Sequence, residues 1–123
     1  MPTGVTTNVQ LEQLARRMRI PFFRGVFMRN NLPISGVRRN ESCIVNLDDV
    51  EGPGTHWVAY AKRGDNVVYF DSFGNLRPPE ELVQYFGQNV TKIEYNHASY
   101  QNYNQSICGQ LCLQFLQTIK FKA

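Results

Sequence analysis

The stretch from Gln101 to Ile119 reads QNYNQSICGQLCLQFLQTI, and its reading decides the fold. Apolar residues fall at Cys108, Leu111, Cys112, Phe115, Leu116 and Ile119, the spacing of a helix with one strongly buried face. Cys108 is thereby expected to be the first residue of a core helix. The first turn leaves backbone N–H groups unpaired and carries the positive end of the helix dipole, which favours a thiolate and a developing oxyanion. Gly109 follows, so nothing bulky crowds the sulfur. Position alone fits a nucleophile and a buried packing cysteine equally well. The decision rests on whether the rest of the chain supplies a base.

The chain has 123 residues, enough for one domain that buries a core without disulfides. A hydrophobic share of 42% against 19% charged residues excludes a disordered chain. The net charge of +3 is too mild to argue by itself for a nucleic-acid partner. No apolar run has the length of a membrane span, and the N-terminus lacks the apolar block of a signal peptide, so the expectation is a soluble protein of a reducing intracellular compartment. Cys43, Cys108 and Cys112 form an odd, sparse set unlike a disulfide framework. No Cys/His grouping has zinc-ligand spacing, so neither a metal nor a cofactor is expected.

In chain order, Thr7 or Asn8 can cap a first helix, with Gln10 in capping-box position relative to Thr7. Leu11, Leu14, Ala15 and Met18 form its buried stripe. Arg16, Arg17 and Arg19 near its end read as a solvated face that complements the helix dipole, and Pro21 is expected to stop it. Phe22 to Met28 suits a short strand or packed turn, and Asn30 to Arg39 a polar connector. Ser42 to Leu47 reads as a strand with Cys43, Val45 and Leu47 on one face and Ile44 on the other. Cys43 is assigned to the core. After the acidic loop Asp48 to Gly54, the runs Thr55–Ala61 and Asn66–Asp71 form a hairpin. Pro78 or Pro79 opens a short helix with Glu80 and Glu81 in its first turn and Gly87 as its stop. Val90 to Tyr95 suggests another strand, and Asn96 to Asn104 a polar, aromatic loop.

The hairpin bears on the chemistry. A loop that pairs Ala61 with Asn66 and Lys62 with Asp65 sets His56 directly opposite Asp71, on one face and in contact. A loop centred on Gly64 and Asp65 instead makes the pair diagonal, still within reach. A histidine held by a carboxylate, plus a cysteine at a helix start, are the parts of a thiol nucleophile activated by an oriented base. The same pair also reads as a structural hydrogen bond at a sheet edge. The Cys108 backbone N–H gives one oxyanion donor, and Gln101 or Gln105 could give a second. His97 is the competing base, in an Asn-rich loop with no carboxylate opposite it.

These residues also carry a resemblance. Gly54-Thr55-His56-Trp57-Val58-Ala59-Tyr60-Ala61, then Tyr69-Phe70-Asp71-Ser72-Phe73-Gly74, then a Gln ahead of Cys108-Gly109 and an apolar helix, resemble the adenain (adenovirus proteinase) family of cysteine peptidases. Upstream, Pro21-Phe22-Phe23-Arg24-Gly25 and Cys43-Ile44-Val45-Asn46 look like that family's N-terminal segments, so the likeness covers most of the chain. It implies an α+β fold: a papain-like core in adenain-type chain order, with a central, mostly antiparallel sheet packed on the Cys108 helix in a single domain. It further implies His56 as base, Asp71 as orienting acid, Cys108 as nucleophile and Gln101 as oxyanion donor. Gln101 matches the family spacing, whereas Gln105 requires a deletion. Trp57 is expected to pack beside the histidine, in a structural role as readily as in a substrate-binding one.

The implied activity is a viral or virus-derived cysteine endopeptidase that cuts polyprotein or capsid precursors near small residues such as Gly. The wider clan also holds proteases of ubiquitin-like modifiers, and an idle binding or scaffold module is the alternative from another class. Two departures stand out. The chain ends soon after the cysteine helix, without the adenoviral C-terminal extension, as a minimal core or a piece of a larger polyprotein does. No cysteine precedes Gln101 where the adenoviral enzymes tether an activating peptide, so activation by that peptide or by DNA is not implied.

Overall fold

The computed structural model describes residues 8–47, 56–71, 78–87, 90, 92–95 and 108–119, with the side chains of Asn8 and Cys108 excepted. Along the chain run α1 (Asn8–Arg17), β1 (Phe23–Met28), β2 (Asn40–Asn46), β3 (Trp57–Arg63), β4 (Asn66–Asp71), α2 (Glu80–Phe86), β5 (Lys92–Tyr95) and α3 (Cys108–Thr118). The strands form one sheet in the order β1-β2-β3-β4-β5. The β2–β3 and β3–β4 pairs are antiparallel, and the β1–β2 and β4–β5 pairs are parallel. The sheet is therefore mixed, which corrects the mostly antiparallel expectation. Parallel neighbours need a crossover, and α2 supplies the one between β4 and β5.

Alternation along the strands splits the apolar residues between two faces. On one, Ile44, Trp57, Ala59, Ala61 and Phe70 pack against Leu11 and Ala15 of α1 and Cys112, Leu113 and Leu116 of α3. On the other, Cys43, Val45, Val58, Tyr60, Val67 and Tyr69 pack against Leu82 and Phe86 of α2. Each fully buried Leu or Ile contributes about 1.5–3 kcal/mol by leaving water. The α3 face is rotated from the expected stripe: Leu113 is fully buried, while Leu111 and Phe115 are only partly so. Phe115 stacks on Phe70 with ring centroids 5.0 Å apart.

Helix α1 ends at Arg17, ahead of Pro21. Arg19 adopts a left-handed φ of 54°, while its N–H bonds the Arg16 carbonyl and the Ile20 N–H bonds the Ala15 carbonyl. That is a Schellman-type stop, with arginine where glycine is usual. Helix α2 starts after Pro79 and stops at Gly87, whose φ is 78°. Both match the sequence signals.

The α2 side of the sheet holds a buried polar network. The Glu41 side chain on β2 is fully buried and accepts from Arg24 Nη1 at 2.9 Å, Tyr85 Oη at 2.9 Å, the Arg38 backbone N–H at 2.9 Å and the Tyr60 hydroxyl. Arg24 also donates to Ser35 Oγ at 2.7 Å and the Gly36 carbonyl at 2.6 Å. Cys43 sits against the same carboxylate, at 3.8 Å. Burial first, and the Glu41 charge second, push its thiol up to about 12. A thiol in that state packs and does not react.

Candidate active site

The β3–β4 turn decides how the candidate residues meet. Arg63 pairs with Asn66, so the loop is Gly64–Asp65, and Val58 rather than His56 faces Asp71. The directly opposed register is thus corrected to the diagonal one. Gly64 has a φ of 63°, and the two-residue turn needs a positive φ at its first central position. A turn centred on Arg63 and Gly64 would force that conformation on arginine. The diagonal geometry still joins the pair, with His56 Nε2 lying 3.0 Å from Asp71 Oδ1.

His56 lies one residue before β3, where the ladder is extended by a bond from the Leu47 N–H to the His56 carbonyl at 3.0 Å. Asp71 is the last residue of β4. The pair is therefore carried on the end of the sheet. The Asp71 side chain is 1% exposed and the His56 side chain 18%. A buried carboxylate thus faces an imidazole that still reaches solvent. With Nε2 engaged by Asp71, a proton transfer to a further group would run through Nδ1.

Trp57 turns to the other face and is 4% exposed. It does not stand apart as a substrate platform but joins the core between β3, α1 and α3. There it touches the start of α3: a Cβ placed on Gly109 would lie 3.5 Å from Trp57 Cδ1, and 2.9 Å from Leu11 Cδ2. The residue after His56 and the residue after Cys108 are therefore in close approach. Cys108 is the first residue of α3, and no acidic side chain stands in that helix's first turn to offset the positive end of its dipole. The Cys108 side chain lies outside the described residues, as do Gln101, Gln105 and His97.

A groove of about 400 Å³ runs beside α3, between it and the β4–β5 edge, lined by Val68, Phe70, Glu94, Leu111, Phe115 and Thr118 among others. Its lining includes Phe70, which precedes Asp71 in β4, and Leu111, three residues after Cys108 in α3. Among the described residues, no group of three or more His, Cys, Asp or Glu is placed to hold a metal ion, and no helix is long and apolar enough to cross a membrane. The contact of Leu11 with Gly109 was not foreseen from sequence. The signal was a glycine on the buried face of a helix's first turn, which marks a close approach.

Among solved structures, the chain is similar to the ASFV pS273R protease, with a TM-score of 0.64 at 21% identity over 94% of this chain and 57% of that one. The fold is shared with a viral protease. The selenomethionine form of that ASFV protease gives a TM-score of 0.61 at 20% identity, over 97% of this chain and 61% of the other. The chain thus spans about three-fifths of that protease's length. No family model matches the chain, and no curated protein matches it in sequence. At this identity the likeness speaks for the α+β fold of a five-stranded mixed sheet and three helices.

Proposed function

We propose that the protein is a cysteine endopeptidase of adenain type whose site combines His56, Asp71, Cys108 and Gln101. The observation that carries this reading is the 3.0 Å His56–Asp71 pair, on a sheet end joined to the first turn of α3 by the Trp57–Gly109 approach. Asp71 fixes the imidazole with Nε2 inward and favours the imidazolium. His56 Nδ1 takes the thiol proton, and the resulting thiolate is stabilised by the positive end of α3.

The thiolate attacks a peptide carbonyl carbon, and the oxygen gains the charge as the C–S bond forms. The Cys108 N–H and the Gln101 carboxamide hold that oxyanion. Collapse expels the amine, which takes its proton from His56, and leaves an acyl-enzyme. Water, deprotonated by His56, then hydrolyses it and returns the free thiol. Substrates of polyprotein or capsid-precursor type, cut near small residues such as Gly, follow from the sequence resemblance. The similar fold of the ASFV protease supports a proteolytic role.

The test profiles a peptide library with wild type and Cys108→Ala side by side. Cleavage by wild type that vanishes in Cys108→Ala is expected. Labelling by a thiol-reactive peptide that persists in Cys108→Ala would refute the choice of nucleophile. Cleavage of Gly-Gly-linked modifier conjugates, with linear peptides untouched, would move the substrate class to ubiquitin-like modifiers.

A further inference from the structure

We propose that Leu11 of α1 is a positioning residue for the nucleophile, acting through Gly109; this rests on the peptidase reading above. Leu11 is fully buried in the cluster between α1, α3 and the sheet. Its two terminal methyls lie 2.9 Å and 3.4 Å from the point where a Cβ on Gly109 would stand, and Trp57 Cδ1 lies 3.5 Å from that same point. The first turn of α3 is thus gripped between a methyl pair on α1 and an indole on β3. One jaw adjoins His56 in the chain, and the gripped residue adjoins Cys108.

The separation of the two reacting residues is therefore set by what fills the space at Gly109. At 2.9 Å the approach is closer than a real Cβ shows, so a methyl added at Gly109 would make the end of the Leu11 side chain move, and Leu11 is fully buried with neighbours on every side. Leu11 is the filler that keeps the turn in place. Interiors are close-packed, and a change of one methyl at such a contact displaces its neighbours instead of being absorbed. A shift of about 1 Å at a reacting pair costs rate out of proportion to its size. The α1 end of the grip is itself held: its C-terminus closes on Ile20, and Arg16 lies over the Phe23 ring at 5.7 Å.

This makes a prediction of size complementation. Leu11→Ala removes the filler, Gly109→Ala overfills the gap, and the double variant restores a methyl to the vacated space. The readouts are the second-order rate of Cys108 alkylation by iodoacetamide across pH, and kcat and KM on a cleaved peptide. Circular dichroism and Tm report the fold. Each single variant is expected to lose about tenfold or more in alkylation at mildly acidic pH, and in kcat, with KM little changed. The double variant is expected to recover to within about threefold of wild type, while circular dichroism is the same for all four proteins, so that the losses are read at Cys108 and not in the fold. Should Leu11→Ala fail to fold, Leu11→Val carries the same test with a smaller loss. Wild-type reactivity in folded Leu11→Ala, or defects that simply add in the double variant, would overturn the inference and leave the peptidase reading intact. Cys108 reacting no faster in the native wild type than in the unfolded chain would sink the peptidase reading, and the inference with it.

Discussion

Asp71→Asn is the sharpest perturbation of the site, because it keeps the side chain's shape and removes only its charge. The carboxylate stands 3.0 Å from His56 Nε2 and is 1% exposed, so solvent does little to screen it. A hydrogen bond to a charged group contributes about 1.5–3 kcal/mol, against about 0.5–1.5 kcal/mol for a neutral one. The substitution therefore withdraws about 1–2.5 kcal/mol of support from the imidazolium. At tenfold per 1.36 kcal/mol, that is about 5- to 70-fold in the thiolate–imidazolium population. The assay is iodoacetamide alkylation of Cys108, followed by mass spectrometry, for wild type, Asp71→Asn and His56→Ala. Near pH 6 the expected order is wild type, then Asp71→Asn, then His56→Ala. Near pH 10, above the ordinary thiol pKa of about 8.5, the three should converge, because the thiol then ionises without help. Equal rates near pH 6 would refute the reasoning, as would a deficit that persists near pH 10, which would point to access and not to ionisation.

Other outcomes follow from the same structure. In native protein, iodoacetamide should label Cys108 and leave Cys43 and Cys112 untouched, since both are fully buried and the Cys43 thiol is pushed up to about 12; peptide mapping before and after urea checks this. Arg24→Met strands the Glu41 charge inside the α2 face and should cost about 3–5 kcal/mol in urea unfolding, while adding Glu41→Gln should recover part of that loss. Stability should fall at alkaline pH. The folded Cys43 thiol keeps its proton to about 12 while the unfolded chain releases it near the ordinary thiol value of about 8.5, so between those values the unfolded state binds fewer protons and stability drops by about 1.4 kcal/mol per pH unit. Tyr60 and Tyr85, held protonated by burial first and by the Glu41 charge among the further causes, steepen the fall. Unfolding free energies from pH 8 to 11, with Cys43→Ala as the flatter comparison, measure it.

Local rules made most of the elements legible. The apolar period placed α3 from Cys108, the Pro-Pro-Glu-Glu run and Gly87 bounded α2, and the alternation at Cys43, Ile44 and Val45 gave β2 its two faces. Choices decided by distant partners were not legible. The hairpin register turned on which residue takes a positive φ, and both Arg63–Gly64 and Gly64–Asp65 satisfy the residue pattern. The parallel β1–β2 pair is joined by an irregular connector, without the helix that usually announces a crossover. Glu41 fell between the connector ending at Arg39 and the strand read from Ser42, yet it is the centre of a network whose members on β1, β3 and α2 come together only in the folded chain. At the site, His56 and Asp71 were found as a pair by either register. The support given to Cys108 through Gly109 depends on Leu11, almost the whole chain away.

The two faces of the sheet therefore hold their helices by different physics, with different consequences for the site. Behind the α2 face, specificity lies in charge: Glu41 tolerates neighbours of altered size better than the loss of a donor, because an unpaired buried carboxylate costs more than a small void. On the α1–α3 face the buried cluster is apolar. Methyl and ring contacts at Leu11, Gly109 and Trp57 set the depth of α3 there. Dispersion contacts of this kind fall off steeply with separation, so they define distance well and orientation poorly. Orientation at the site comes instead from the directional His56–Asp71 bond at the end of the sheet. A thiol–imidazole pair needs both, a fixed distance and a fixed ring. Here the two requirements are assigned to separate residues, which is why substitutions at Leu11 and at Asp71 should impair the same reaction with different dependences on pH.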